Sequence, residues 1–149
     1  MEISTPVRSI LAGKGAILWS VRPDDTVFNA IEQMAHHDIG ALPVVDDGLL
    51  VGMISERDYT RKIVLVGRSS RETRVSDIMT HDLVTVTPDD SVQECMRLMT
   101  NHRVRHLPVL EVGRLTGIIS IGDVVNWIIG AQSAALDDLE NYVTGAYPA

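Results

Sequence analysis

The chain is poor in cysteine, in positive charge and in long apolar runs, and each shortage closes off a class of protein. One cysteine in 149 residues excludes an intramolecular disulfide and a cysteine-rich zinc site. Thirteen Lys and Arg against twenty Asp and Glu leave a formal net charge of −7. That is the wrong sign for a general DNA- or RNA-binding surface, which needs a basic stripe to neutralise phosphates. The Ile- and Val-rich stretch from Leu115 to Ile129 is interrupted by Asp123 and Asn126, too short and too polar to span a bilayer. The N-terminus carries Glu2, Arg8 and Lys14 without an unbroken apolar run, so no signal peptide is expected. These readings predict a reducing, cytoplasmic setting, with neither nucleic acid nor membrane as partner.

Arrangements that carry catalysis are also missing. His36 and His37 are neighbours and cannot share a helix face. His106 begins a predicted strand after the helix holding His102 has ended, so their spacing does not make a metal pair. No Ser or Cys sits in a nucleophile turn. The expectation is a chain that is not an enzyme and holds no metal. Cys95 falls on the apolar face of a predicted helix and reads as a small core residue.

What the chain does have is a repeat. Residues 21–59 align with 86–124 at an offset of 65, without a gap, and sixteen of the 39 pairs are identical; average composition would give about two or three. Repetition of this strength sets the architecture. Each copy is only about 60 residues long, where independent folding is marginal, so two half-domains sharing one core are expected.

The elements follow from local chemistry. Asp24-Asp25-Thr26 and Asp89-Asp90-Ser91 each follow a proline and precede apolar residues at helical spacing. Such residues accept hydrogen bonds from the free N–H groups of a first turn, so helices are predicted over 26–37 and 91–102. Leu42-Pro43-Val44-Val45 and Leu107-Pro108-Val109-Leu110 read as strands that tolerate a proline near the start. Turns at Asp47-Gly48 and Val112-Gly113 lead into strands 50–54 and 115–119, interrupted by Gly52 and Gly117. Helices are predicted over 56–66 and 121–130, and short strands over 16–21 and 83–86. The lead-in Val7-Arg8-Ser9-Ile10-Leu11 resembles Val75-Ser76-Asp77-Ile78-Met79 at an offset of 68; the first copy has three extra residues after it, in a stretch that contains Lys14-Gly15. The fold class is α/β (α+β): two β-α-β-β-α repeats related by a pseudo-two-fold axis. The first domain is placed at 5–66, a basic linker at 67–74, the second domain at 75–130 and a helical, acidic tail at 131–149.

Ser55-Glu56-Arg57-Asp58 and Ser120-Ile121-Gly122-Asp123 are both S-x-x-D at a strand-to-helix junction. One reading is a variant of the capping box. The other is functional: a helix N-terminus holds phosphate, and a carboxylate beside it can accept both ribose hydroxyls. On that reading Asp58 and Asp123 take ribose, with Ser55, Ser120 and Arg57 near phosphate. Gly122 replaces Arg57 in the second copy, which instead places Arg105-His106 where the first has Gly40-Ala41.

The G-A-L-P-V-V and R-H-L-P-V-L segments, the G-M-I-S-E-R-D and G-I-I-S-I-G-D turns and Val75-Ser76-Asp77-Ile78-Met79-Thr80 resemble a tandem pair of cystathionine β-synthase (CBS) domains, a Bateman module, over roughly residues 5–130. The resemblance, covering nearly the whole sequence, is to stand-alone CBS-pair proteins, so no enzyme domain is expected beside the pair. The resemblance implies adenosine ligands in the clefts between the repeats: AMP first, with ADP, ATP, NAD(H) and S-adenosylmethionine as the family's other ligands. It implies ribose contacts at Asp58 and Asp123 beside Ser55 and Ser120, and phosphate contacts at Arg57, Arg105 and His106. Adenine is expected between Val21 and Ile39, Ala41 and Pro43 in one copy, and between Val86 and Val104 and Pro108 in the other. Lys14 is assigned to phosphate from its position in the extra segment. The resemblance also implies a homodimer and an unidentified regulated protein. The alternative is a ligand-free scaffolding module.

Overall fold

The structure, a computed structural model, describes residues 4–15 and 17–144. In chain order the elements are α1 (Val7–Lys14), α2 (Val27–His37), β1 (Ala41–Asp46), β2 (Leu49–Ser55), α3 (Glu56–Tyr59), α4 (Val75–Ile78), α5 (Val92–His102), β3 (His106–Glu111), β4 (Arg114–Ser120) and α6 (Ile121–Thr144). A π turn, Thr60–Val64, continues α3. Each repeat contributes one two-stranded sheet, β1 with β2 and β3 with β4. Mixed helix and strand content of this kind is the predicted α+β class.

The two long repeat helices begin where their caps dictate. Thr26 Oγ1 accepts from the Asn29 N–H at 3.1 Å and Ser91 Oγ from the Glu94 N–H at 3.0 Å, satisfying donors that a first turn leaves open. The preceding aspartates do a different job from the expected one. Asp25 accepts from the Arg22 N–H at 2.8 Å and Asp90 from the Thr87 N–H at 2.7 Å, closing the turn upstream rather than capping the helix. Both helices end on a non-glycine residue in the left-handed region, Asp38 at φ 54° and Arg103 at φ 53°.

β1 and β2 pair antiparallel from Ala41↔Ser55 to Asp46↔Leu49, with an irregularity between Val44 and Val45. The tip is Asp47-Gly48, both residues at positive φ, which is the twist a two-residue hairpin requires. The strands predicted before each proline shrink to single bridges. Val21 pairs in parallel with Val44, through Val21 N–H to Pro43 C=O at 3.1 Å and Val45 N–H to Val21 C=O at 2.8 Å; Val86 forms one bridge. Ala16, the first residue of that predicted strand, lies outside the described residues, as does the tail beyond Thr144. Gly52 is required for a close approach: a Cβ there would lie 2.6 Å from Met79 Sδ and 3.0 Å from Thr80 O, because Met53 and Thr80 exchange backbone hydrogen bonds at 3.1 and 2.9 Å.

The helix expected over 56–66 is one α turn followed by the π turn, in which Leu65 N–H reaches Thr60 C=O at 3.0 Å. Thr60 Oγ1 donates to the Glu56 carbonyl at 3.1 Å, a local competitor for the helical ladder. The helix expected to stop at Gly130 runs on to Thr144.

Contacts divide the chain into two compact units. One holds Ile17–Thr85 with Pro108–Ile118; the other holds Val86–Leu107 with the described parts of the N-terminal sixteen residues and of the stretch from Ile119 onward. The lead-in segments are therefore exchanged: α4 belongs with α2, and α1 with α5. Val75 N–H donates to Asp25 C=O at 2.8 Å, Ser76 N–H to Pro23 C=O at 2.9 Å, and Val27 N–H to Thr73 C=O at 2.9 Å. In the other unit Val7 N–H donates to Asp90 C=O at 2.8 Å, Arg8 N–H to Pro88 C=O at 3.0 Å, and Val92 N–H to Thr5 C=O at 2.9 Å. An ion pair between Arg8 and Asp89 adds to the second set. The two sets correspond one to one at the offsets of 65 and 68. In the first unit Val27, Ala30, Met34, Leu42, Val44 and Ile54 form a buried cluster that Val75, Ile78 and Met79 complete.

Candidate functional site

Each S-x-x-D turn is a closed hydrogen-bonded unit. Asp58 N–H donates to Ser55 Oγ at 3.1 Å, while Asp58 Oδ2 accepts from the Ser55 N–H at 3.0 Å and the Ser55 hydroxyl at 3.1 Å. In the second copy Asp123 N–H donates to Ser120 Oγ at 3.1 Å and Asp123 Oδ2 accepts from the Ser120 N–H at 2.8 Å. The capping reading thus describes real bonds in both copies. It also fixes two partly buried carboxylates at known places, which a binding site needs as well.

A backbone bond ties the loop before each hairpin to its turn. Glu56 N–H donates to Gly40 C=O at 3.0 Å, and Ile121 N–H to Arg105 C=O at 2.8 Å. Ala41 pairs directly with Ser55 across the sheet. Gly40-Ala41 and Arg105-His106 are thereby brought to equivalent positions beside Asp58 and Asp123. The cation difference read between the two copies is a difference between the surroundings of Asp58 and those of Asp123.

Both carboxylates carry a lysine. Lys62 Nζ lies 3.1 Å from Asp58 Oδ1 and donates to the Ile78 carbonyl at 2.7 Å. Lys14 Nζ donates to Asp123 Oδ2 at 2.6 Å, so the lysine expected at phosphate pairs with the carboxylate expected at ribose. Lys62 was not among the predicted site residues; its i,i+4 spacing from Asp58, one turn along a helix, was the signal available. Arg57 is exposed on α3. His106 is half-buried. Its imidazole is held below the ordinary value near 6.5, first by burial and then by Lys14 and Arg105, with Asp123 opposing.

The residues expected to line adenine are mostly core. Val21, Ala41, Pro43, Val86 and Pro108 are buried, and Ile39 and Val104 half-buried. Val21, Ile39, Ala41 and Pro43 belong to one unit with Asp58; Val86 and Val104 belong to the other with Asp123, whereas Pro108, expected beside them, is grouped with the first unit. Cys95 is buried, and burial pushes its thiol up to about 11, as a core residue rather than a nucleophile. Among the described residues no group of His, Cys, Asp and Glu could hold a metal ion. No helix of the described residues is long and apolar enough to cross a membrane.

A twofold-repeated α+β unit with an S-x-x-D turn after each hairpin defines a class of paired-repeat modules. The CBS domain family matches residues 15–65 and 75–130, and the chain belongs to that family. It is 43% identical over 154 residues to the mitochondrial CBS domain-containing protein CBSX3 of Arabidopsis thaliana, covering 97% of this chain and 74% of the relative. A solved protein with CBS domains from Burkholderia ambifaria MC40-6 superposes with a TM-score of 0.83 at 50% identity, covering 86% of this chain and 96% of that one. The CBS domain pair of protein MJ0100, solved with 5′-methylthioadenosine and S-adenosyl-L-methionine, gives a TM-score of 0.75 at 25% identity over 85% of this chain and 98% of its own. Stand-alone proteins of this family are generally regulatory.

Proposed function

We propose that the chain is a non-catalytic sensor of adenine nucleotides, with two non-equivalent sites built on Asp58 and Asp123, that modulates a partner protein. The observation that carries this reading is the pair of fixed carboxylates, each flanked by cations placed differently in the two repeats. A carboxylate can accept both hydroxyls of a ribose. Arg57 on one side, and Arg105 with His106 on the other, supply charge for phosphate. The adenosine ligands of MJ0100 support the ligand class. AMP is the ligand we place first, with ADP, ATP and NAD(H) as the other candidates.

The chain is further proposed to act as a homodimer. Ile121, Val125 and Ile129 are exposed at four-residue spacing on α6, an apolar stripe of the kind that pairs helices. The domain boundaries read from the sequence, and a cytoplasmic setting, belong to this same proposal; CBSX3, by its name, is mitochondrial.

A ligand-free scaffold is the second reading, favoured by the fact that both carboxylates already have partners in their own unit. Calorimetry with AMP on the intact chain separates the two. A nucleotide sensor binds AMP, and Asp58→Ala and Asp123→Ala each weaken their own site by about 1–3 kcal/mol, the cost of unmade buried hydrogen bonds. No heat and no melting shift with any adenosine compound would leave the scaffold.

A further inference from the structure

We propose that Lys14 is a specificity-determining residue: it makes the Asp123 site favour adenosine compounds that carry phosphate over those that do not. This rests on the reading of Asp123 as a ribose acceptor.

The two lysines reach their aspartates from different places. Lys62 stands one turn beyond Asp58 and is also anchored on the Ile78 carbonyl. At the corresponding place in the second copy the residue is Trp127, whose buried Nε1 finds no acceptor among the described residues. Asp123 takes its lysine from the end of α1, 109 residues away in sequence. Lys14 lies in the stretch that holds the three extra residues of the first lead-in. It is followed directly by Gly15 at φ 88°, where α1 ends.

The Asp123 side chain is 19% exposed and that of Lys14 38%, so the pair is only partly wetted. Lys14 sits on Oδ2 of a carboxylate that a ribose diol would have to share or take. A ligand without phosphate offers the displaced ammonium nothing in return. A phosphorylated ligand offers it a doubly charged acceptor, next to Arg105 and His106, and charge-assisted bonds of this kind are the strong ones. One side chain thereby opposes uncharged nucleosides and favours nucleotides, using attraction for one and an unmade pair against the other. At Asp58 the anchored Lys62 cannot make the same trade without leaving the Ile78 carbonyl.

The test is calorimetry of the full chain in an Asp58→Ala background, so that the Asp123 site alone reads out, with AMP, ATP, adenosine and 5′-methylthioadenosine. Lys14→Met is expected to weaken AMP and ATP about tenfold, the loss of one charge-assisted bond. The same change tightens adenosine and 5′-methylthioadenosine by about threefold, the release of a partly exposed ion pair. Lys14→Arg, which keeps the charge, retains the preference for AMP and guards against a folding defect in the Met variant. Equal effects of Lys14→Met on all four compounds, or none, overturn the proposal while Asp123→Ala still weakens binding at that site. If Asp123→Ala changes nothing, the ribose reading fails and takes this proposal with it.

Discussion

His106 is half-buried, and burial first, then Lys14 and Arg105, hold its imidazole below the ordinary value against the pull of Asp123. The folded imidazole takes a proton only below the value near 6.5 at which the unfolded chain takes it. Between those two values the unfolded state binds more protons, so stability rises with pH there. Stability is complete above about pH 6.5 and is lost as pH falls toward the folded value. Melting temperatures from pH 7.5 to 5.5 should therefore decline, and His106→Asn should flatten that decline; an unchanged slope in the variant would remove His106 as its source. Lys62 shows how a residue-scale reading falls short. Its pairing with Asp58 followed from helical spacing, yet its bond to Ile78 needed α4 to be packed beside it, which no local pattern announces.

At the scale of elements, the two hairpins share a turn geometry but not its chemistry. Asp47-Gly48 suits a turn in which both residues have positive φ. Val112-Gly113 places a β-branched residue at φ 51° with 97% of its surface exposed, so it bears the strain of that backbone without a burial gain. Val112→Asn should stabilise the chain by about 1 kcal/mol, read as a rise in the denaturant midpoint at constant slope; no rise would show that the strain is relieved some other way. Elements set by side chains close in sequence were legible: Thr26 and Ser91 marked both helix starts within a residue. The first strands were not, because Val21 and Val86 each hold a single bridge and the other described residues of those runs form no strand. The stop at Gly130 failed for a related reason. Glycine ends a helix when it turns left-handed, and Gly130 remains within α6.

At the scale of the molecule, the duplicated fold was legible from identity alone, and the S-x-x-D turns from their place after each hairpin. The exchange of α1 and α4 was not. Offsets of 65 and 68 showed that the lead-ins were equivalent, but equivalence says nothing about which repeat each one serves. That depends on backbone hydrogen bonds between segments far apart in sequence. Val7 and Val75 are both fully buried, so truncating either to Ala should cost about 2 kcal/mol. The damage should appear crosswise in hydrogen exchange: Val7→Ala loosens 86–102, and Val75→Ala loosens 21–37. Loosening confined to each variant's own repeat would contradict the exchange.

That exchange has a consequence for the covalent chain. A protease that cut at Gly67 or Arg68, both exposed, would produce two fragments, each still holding the other's first helix. The nicked protein would remain assembled, since neither piece could depart without uncovering the valine it lends. Seen as history, a gene encoding a single repeat would yield subunits obliged to trade helices with a second copy, and duplication made that trade internal. The linker's contribution is then to keep the two partners at fixed stoichiometry.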